Sequence, residues 1–376
     1  MARRRLLLLL KPFDVYPLRP KVTSSSSLNR TPNTQTLQIL NYLEDRRRVH
    51  REAIDFCQDV LRCKDLDWEP VFRNNLSQPI HGVDLVVTIG GDGTLLRASH
   101  LLDNTIPVLG VNSDPTQKEE VEQLSSDFDA TRSTGYLCAA TVANFEQVLD
   151  EILQGENKPL ELSRMSVKVN GQPLSTFALN DVLIAHPCPA TVSRFSFRIR
   201  CKDWKSYSLI NCRSSGLRVC TAAGSTAAML SAGGFPMPVS SSELQYMVRE
   251  PISTRAVDVP LMHGVVKPNH TMHISWYCNE GTIYIDGSHV LYSIRYGDVV
   301  ELSTQAPQVE SSFATSSLKM IEIHLSLRRI HVPVLFFIIT INVFEFLSAM
   351  QGLPYKLYLV AMLVFVIKLL KCILFK

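Results

Sequence analysis

Charge is scarce in this chain. Asp, Glu, Lys and Arg make up 19% of its 376 residues, against about a quarter in an ordinary globular protein. Basic residues outnumber acidic ones only 38 to 35, and so thin an excess excludes nucleic-acid binding by bulk charge. The nine cysteines contain no C-x-x-C pair and are odd in number. That speaks against a disulfide framework or a structural zinc site and fits reduced thiols in an intracellular compartment. No internal repeat is present, and the composition excludes a disordered or collagen-like chain. A long apolar run is missing until residue 332. The opening MARRRLLLLL has a basic and an apolar part, but five leucines stopped by Lys11-Pro12 make a poor signal peptide and a good fully buried strand over Leu6–Leu10.

What is present is patterned. Leu37, Leu40, Leu43, Val49, Ile54, Val60 and Leu61 approximate a helical stripe between Thr36 and Lys64, after a polar loop around Ser24–Ser27. Val83–Ile89 is an almost unbroken β-branched run, as expected of a strand buried on both faces. Leu95–Leu102 reads as a helix and Ile106–Val111 as another buried strand, together a βαβ unit. Beyond a helix around Val142–Leu153 come short candidate strands at Ser166–Val169, Phe177–Ala185, Ser193–Arg200, Met272–Tyr277, Thr282–Ile285 and Val299–Leu302. Turn residues such as Asn170-Gly171 and Asp286-Gly287 lie between them. The expected fold is an α/β N-terminal domain (1–125), a β-rich C-terminal domain (126–307) and an apolar tail (308–376). The tail's runs at Val334–Met350 and Leu357–Leu370 fall near or below the ~20 residues a spanning helix needs. A membrane hairpin and a tail foreign to the fold stand as equal readings.

Three short motifs carry chemistry. Gly90-Gly91-Asp92-Gly93-Thr94 follows the Val83–Ile89 strand directly. Its glycines let main-chain N–H groups approach a ligand, and the following helix offers its N-terminus to phosphate. Asp92 there either holds Mg²⁺ against phosphates, accepts the proton of an attacking hydroxyl, or merely caps the helix. Ala178-Leu179-Asn180-Asp181-Val182 puts an amide and a carboxylate at a strand start, suited to gripping hydroxyls or a purine edge; an Asx turn is the plain alternative. Thr221–Ala228 packs small and hydroxylated residues into a strand-to-helix turn where a ring or sugar could approach the backbone. Capping by Ser225 or Thr226 is the alternative there.

In this order and spacing the motifs resemble the ATP-dependent NAD(H) kinase family, and stretches such as FDATRSTGYLCAATVANFEQVLD and NCRSSGLRVCTAAGSTAAM resemble its plant NADH kinase branch. The resemblance covers roughly residues 1–307. It implies transfer of the ATP γ-phosphate to the 2′-hydroxyl of the adenosine ribose of NADH, and less so of NAD, with Mg²⁺ or another divalent cation. Asp92 would be the base, Gly90, Gly91, Gly93 and Thr94 the phosphate contacts, and Asn180, Asp181, Arg213, Ser215, Thr226, Ala227 and Ser231 the dinucleotide contacts; no metal ligand is assigned. A surface arginine is the plain reading of Arg213. The resemblance also implies a homodimer in the cytoplasm.

Departures from the family pattern are informative. Ala228 stands where relatives carry a stacking tyrosine, and Ser215 where they carry a carboxylate near the nicotinamide. Losing that negative charge is consistent with an NADH preference, because a cationic NAD⁺ ring benefits from it more than a neutral ring. The final Leu374-Phe375-Lys376 is not a peroxisomal tripeptide. Two other readings remain open at this point: a lipid kinase of the G-G-D-G type with a membrane tail, and an inactive membrane-tethered nucleotide-binding relative. Membrane contact would run through 332–375.

Overall fold

The structure, a computed structural model, describes residues 3–15, 34–156, 158–201, 209–252 and 260–312. The Ser24–Ser27 loop and the apolar runs of the tail lie outside the described residues.

The first strand, β1 (Arg4–Leu10), shows how the N-terminal layer is built. Leu6, Leu8 and Leu10 pack to one side of the sheet with Ile54, Cys57 and Leu61 of helix α1 (Thr34–Arg62). Leu7 and Leu9 pack to the other side. Side chains alternate along a strand, so five consecutive leucines are what a sheet covered on both faces requires. β1 is one of four parallel strands, β2 (Leu66–Phe72), β1, β3 (Leu85–Gly90) and β4 (Val108–Asn112), adjacent in that order; β3 and β4 follow the same logic, while β2 is the partly exposed edge. Helix α2 (Asp92–Ser99) connects β3 to β4 and buries Leu95, Leu96 and Ala98 against the sheet. Helix α3 (Lys118–Leu124) buries none of its residues. Strand β5 (Ala140–Thr141) pairs with the upper part of β4, and helix α4 (Phe145–Gln154) packs on the α1 face, ending on the left-handed Gly155.

Strand β6 (Leu160–Leu162) leads out of this layer into two antiparallel sheets. One contains β7 (Ser166–Val169), β8 (Gln172–Pro173), β10 (Ser193–Cys201), β11 (Ile210–Ser214), β15 (His270–Trp276) and β18 (Val299–Ser303). The other contains β9 (Asp181–Ala185), β12 (Gly216–Cys220), β13 (Leu244–Arg249), β14 (His263–Val266), β16 (Gly281–Ile285) and β17 (Val290–Ile294). Between them lies one apolar cluster, with the fully buried Trp276 stacked on Phe195 at 6.1 Å. A Cβ on Gly281 would lie 2.5 Å from the Trp276 ring, so this position has room only for hydrogen. The single-turn helix α5 (Ala228–Ser231) follows β12.

The last described strand, β19 (Val309–Ser312), returns to the first sheet, parallel to β4 and antiparallel to β6. Sheet membership therefore does not follow the divisions expected at 125 and 307, because β5, β6 and β19 all join the N-terminal sheet. Two element boundaries also shift. The helix expected over Leu95–Leu102 starts at Asp92 and ends at Ser99, and the strand expected from Phe177 begins only at Asp181. Among the described residues no helix is long and apolar enough to cross a membrane.

Candidate active site

In a parallel sheet the loops at the carboxyl ends of the strands form the natural crevice. Here Arg73 follows β2, Lys11 follows β1, Gly91 follows β3 and Ser113 follows β4, and all four line one cavity of about 380 Å³. Gly90, Gly93, Thr94, Asn112, Asp114, Asp129 and Arg132 complete much of its wall, with Tyr42 and Arg46 supplied by α1. Four cationic side chains thus face two carboxylates. Asp114 is already shared by Arg46 (3.3 Å) and Arg132 (3.2 Å), which leaves the surplus positive charge on the Lys11 and Arg73 side. Arg73 has a 3.5 Å contact with Thr94 Oγ1, and burial draws its pKa down, as it does that of Lys11. Desolvated cations at the start of a helix make an anion site, and phosphate is its natural occupant.

The Gly90–Thr94 turn sits as the sequence placed it, but Asp92 is not a cap. Gly91 occupies the cap position and Asp92 is the first helical residue. The Asp92 carboxylate does not line the cavity. Its Oδ1 accepts the Leu137 N–H (2.9 Å) and its Oδ2 the Tyr136 N–H (3.1 Å), with the Cys138 thiol 3.8 Å away. Burial raises its pKa, and the hydrogen bonds offset only part of that. A carboxyl held in this state is a stronger base than an exposed one.

The second and third motifs meet one another. A Cβ on Gly224 would lie 2.0 Å from the Asn180 carbonyl oxygen, so the small-residue turn can close on the Asn180 backbone only through glycine. Thr221 N–H and Oγ1 donate to the carbonyls of Asn180 (3.1 Å) and Leu179 (2.5 Å). Thr226 is half-buried, while Ala227 and Ser231 are exposed beyond this junction. Neither Ser225 nor Thr226 caps a helix; Ser225 Oγ donates to the Ala222 carbonyl and accepts the Met237 N–H. Asp181 is paired with Arg218, and burial nevertheless pushes its carboxyl up.

The junction is fastened by a residue that sequence reasoning marked only as part of a turn. Asp286, in a left-handed conformation (φ 51°), accepts the N–H groups of Leu179 (2.9 Å), Asn180 (2.7 Å) and Asp181 (2.9 Å). Its carboxylate also meets His100 Nε2 at 2.8 Å, at the end of α2. Leu179 and Ala223 also share an apolar cluster with Leu95, Leu96 and Ala98 of that helix. Arg213 and Ser215 are not brought to this junction. They lie by the first residue of β12, whereas Asp181 pairs with Cys220 at its last, a separation of roughly 15 Å. Arg213 is exposed, and Ser215 is half-buried with Oγ 3.4 Å from the Arg249 carbonyl.

Sequence reasoning missed Lys11, Arg46, Arg73, Asp114 and Arg132. The available signal was positional, since Lys11, Arg73 and Ser113-Asp114 each stand just past the end of a parallel strand. Among the described residues no cluster of three His, Cys, Asp or Glu could hold a metal ion.

Comparison with known proteins fits this arrangement. Residues 20–114 match the ATP-NAD kinase N-terminal domain. The chain is 59% identical over 322 residues to a probable NADH kinase of rice (Oryza sativa subsp. japonica), an alignment covering 85% of this chain and 99% of that protein. It is 58% identical over 308 residues to an NADH kinase of Arabidopsis thaliana, covering 82% and 95%. In fold it is similar to yeast NADH kinase solved with NADH (TM-score 0.58, 15% identity, 86% of this chain and 87% of that one). It is also similar to the NAD kinase of Archaeoglobus fulgidus solved with ATP (TM-score 0.55, 17% identity, 84% and 96%). Near-complete coverage at that identity, on a chain whose phosphate turn heads its α/β layer, places the protein in the NAD kinase family.

Proposed function

We propose that the protein is an NADH kinase, moving the γ-phosphate of ATP to the 2′-hydroxyl of the adenosine ribose, with NAD as the poorer acceptor. The observation that carries this reading is the Gly90–Thr94 turn opening onto a cavity formed at the ends of four parallel strands, with Lys11 and Arg73 at two of those ends. The relatives at 58–59% identity, both named as NADH kinases or probable NADH kinases, support the choice of acceptor.

Phosphoryl transfer demands in-line placement and neutralised charge more than covalent help. Arg73 and Lys11 supply positive charge for the nucleotide phosphates, and the first turn of α2 supplies N–H groups. Asp92, raised by burial, takes the proton of the ribose hydroxyl once the 136–138 segment yields its carboxylate. The Asn180–Asp181 junction holds the dinucleotide, its backbone fixed by Asp286. Mg²⁺ ordinarily reaches such sites bound to the nucleotide's own phosphates plus one or two carboxylates. Of the carboxylates on the cavity wall, Asp129 is exposed and shared with no arginine among the described residues, so it can take a coordination position. When bound, the ion neutralises γ-phosphate charge.

A homodimer and a cytoplasmic location complete the proposal. The test supplies purified full-length protein with ATP, Mg²⁺ and NADH, NAD or a diacylglycerol. NADPH formed faster than NADP, and lost in Asp92→Asn, supports the reading; phosphorylated lipid, or no product from either dinucleotide, overturns it. Light scattering checks the dimer.

A further inference from the structure

Helix α1 sends a stripe of three polar residues toward the phosphate turn: Tyr42, Arg46 and His50, spaced i, i+4, i+8 on one face. Tyr42 and Arg46 reach the cavity wall. His50 stops short of it and is fully buried. Its Nε2 lies 2.9 Å from the Lys11 carbonyl oxygen and its Nδ1 2.8 Å from Ser113 Oγ. A carbonyl only accepts, so Nε2 carries the hydrogen and Nδ1 is the acceptor. The Ser113 hydroxyl hydrogen is therefore directed at His50. Burial, helped by the charges of Lys11 and Arg73, holds the imidazole pKa down at about 4 and keeps the ring neutral in ordinary buffers.

Ser113 is the residue that holds the turn. Its N–H donates to the Gly90 carbonyl at 2.8 Å, while its Oγ stands 3.4 Å from the same oxygen. Without an acceptor at Nδ1, the hydroxyl hydrogen would turn to the second lone pair of Gly90 O and pull that carbonyl toward Oγ. The Gly90–Gly91 peptide is planar and trans, so anchoring the Gly90 C=O also sets the direction of the Gly91 N–H. That N–H is one of the donors the turn can offer an anion.

We propose that His50 is a positioning residue for the phosphate turn, acting through Ser113 to fix the Gly90–Gly91 peptide and thereby the affinity for the ATP phosphates. The inference rests on ATP binding at residues 90–94, and its test separates the two. His50→Gln keeps a donor where Nε2 stands and removes the acceptor for Ser113. His50→Asn keeps an acceptor where Nδ1 stands and removes the donor to Lys11. Full-length protein is assayed with ATP varied at saturating NADH and the reverse, and ATP affinity is measured directly by calorimetry.

His50→Gln and Ser113→Ala each raise KM and Kd for ATP about tenfold, the scale of one lost hydrogen bond, and leave KM for NADH within about twofold. The double variant is no worse than either single one, and His50→Asn stays near wild type. Unchanged ATP affinity in a folded His50→Gln, equal damage in His50→Asn, or parallel loss for both substrates overturns the proposal. If His50→Gln does not fold, Ser113→Ala with unaltered ATP affinity overturns it as well. Wild-type protein that forms no NADPH instead overturns the kinase reading, while the calorimetric arm still decides the role of His50.

Discussion

Asp92 faces two demands at once, since its carboxylate is held by the Tyr136 and Leu137 amides and the proposed reaction uses it as the base. Its raised pKa has a clear sign in kinetics. A base works only when deprotonated, so the rate falls as pH drops through a value above the usual carboxylate range. A pH profile of kcat/KM should show that acid limb in the wild type, and Asp92→Asn should lose roughly 10²–10⁴-fold in rate together with the limb. Arg73 lines the cavity and reaches Thr94 Oγ1 at 3.5 Å. Replacing it with alanine removes a charged hydrogen-bond donor and should raise KM for ATP roughly tenfold to a hundredfold, measured at saturating NADH. Ser215 presents no charge beside Arg249 and Arg213. Ser215→Asp should shift the NAD-to-NADH ratio of kcat/KM toward NAD, measured with each dinucleotide in turn, if Ser215 meets the nicotinamide; an unchanged ratio removes it from the site.

Helix α2 is a rod of about 12 Å with the phosphate turn at its head and two foreign clamps at its tail. Arg164, almost wholly buried, donates to the carbonyls of Ser99 and Leu102 at 2.9 Å, where a cation suits the negative helix end. His100 reaches Asp286 across to the β-rich sheets. Asp286→Ala would orphan three backbone donors at about 1–3 kcal/mol each. The expected result is a melting temperature lower by about 10 °C and a raised KM for NADH, read by thermal unfolding and by kinetics on the folded fraction. Much at this scale was legible in the sequence: Leu6–Leu10 and Val83–Ile89 declare strands buried on both faces, and Gly90–Thr94 declares its turn. Strand β2 was not legible, because Asp67, Glu69 and Pro70 suit an exposed edge and break the apolar pattern. Nor was the role of Asp286, which depends on three amides more than a hundred residues earlier in the chain. Lys11 and Arg73 carried only a positional signal, each a lone basic residue just past a strand end, and Arg132 carried none until the fold brings it to Asp114.

At the scale of the molecule, one mostly parallel layer carries the Gly90–Thr94 turn and two antiparallel sheets carry the Asn180–Asp181 motif, with β19 as the return link. Val309 and Ser311 of that strand are fully buried, and the Pro307 carbonyl just before it accepts from Arg164 Nε at 2.6 Å. A chain ending at Ala306 should therefore melt lower and aggregate, whereas one ending at Leu318 should retain the wild-type transition of this body, checked by calorimetric scanning of the two. The parallel layer is begun by residue 4 and finished by residue 312. During translation the nascent polypeptide carries β4 with the β19 part of its edge uncovered until nearly the whole body has left the ribosome, a state open to wrong pairing. Substitutions that slow closure of the β-rich sheets should thus lower the yield of native enzyme made per transcript while leaving the turnover of each finished molecule intact.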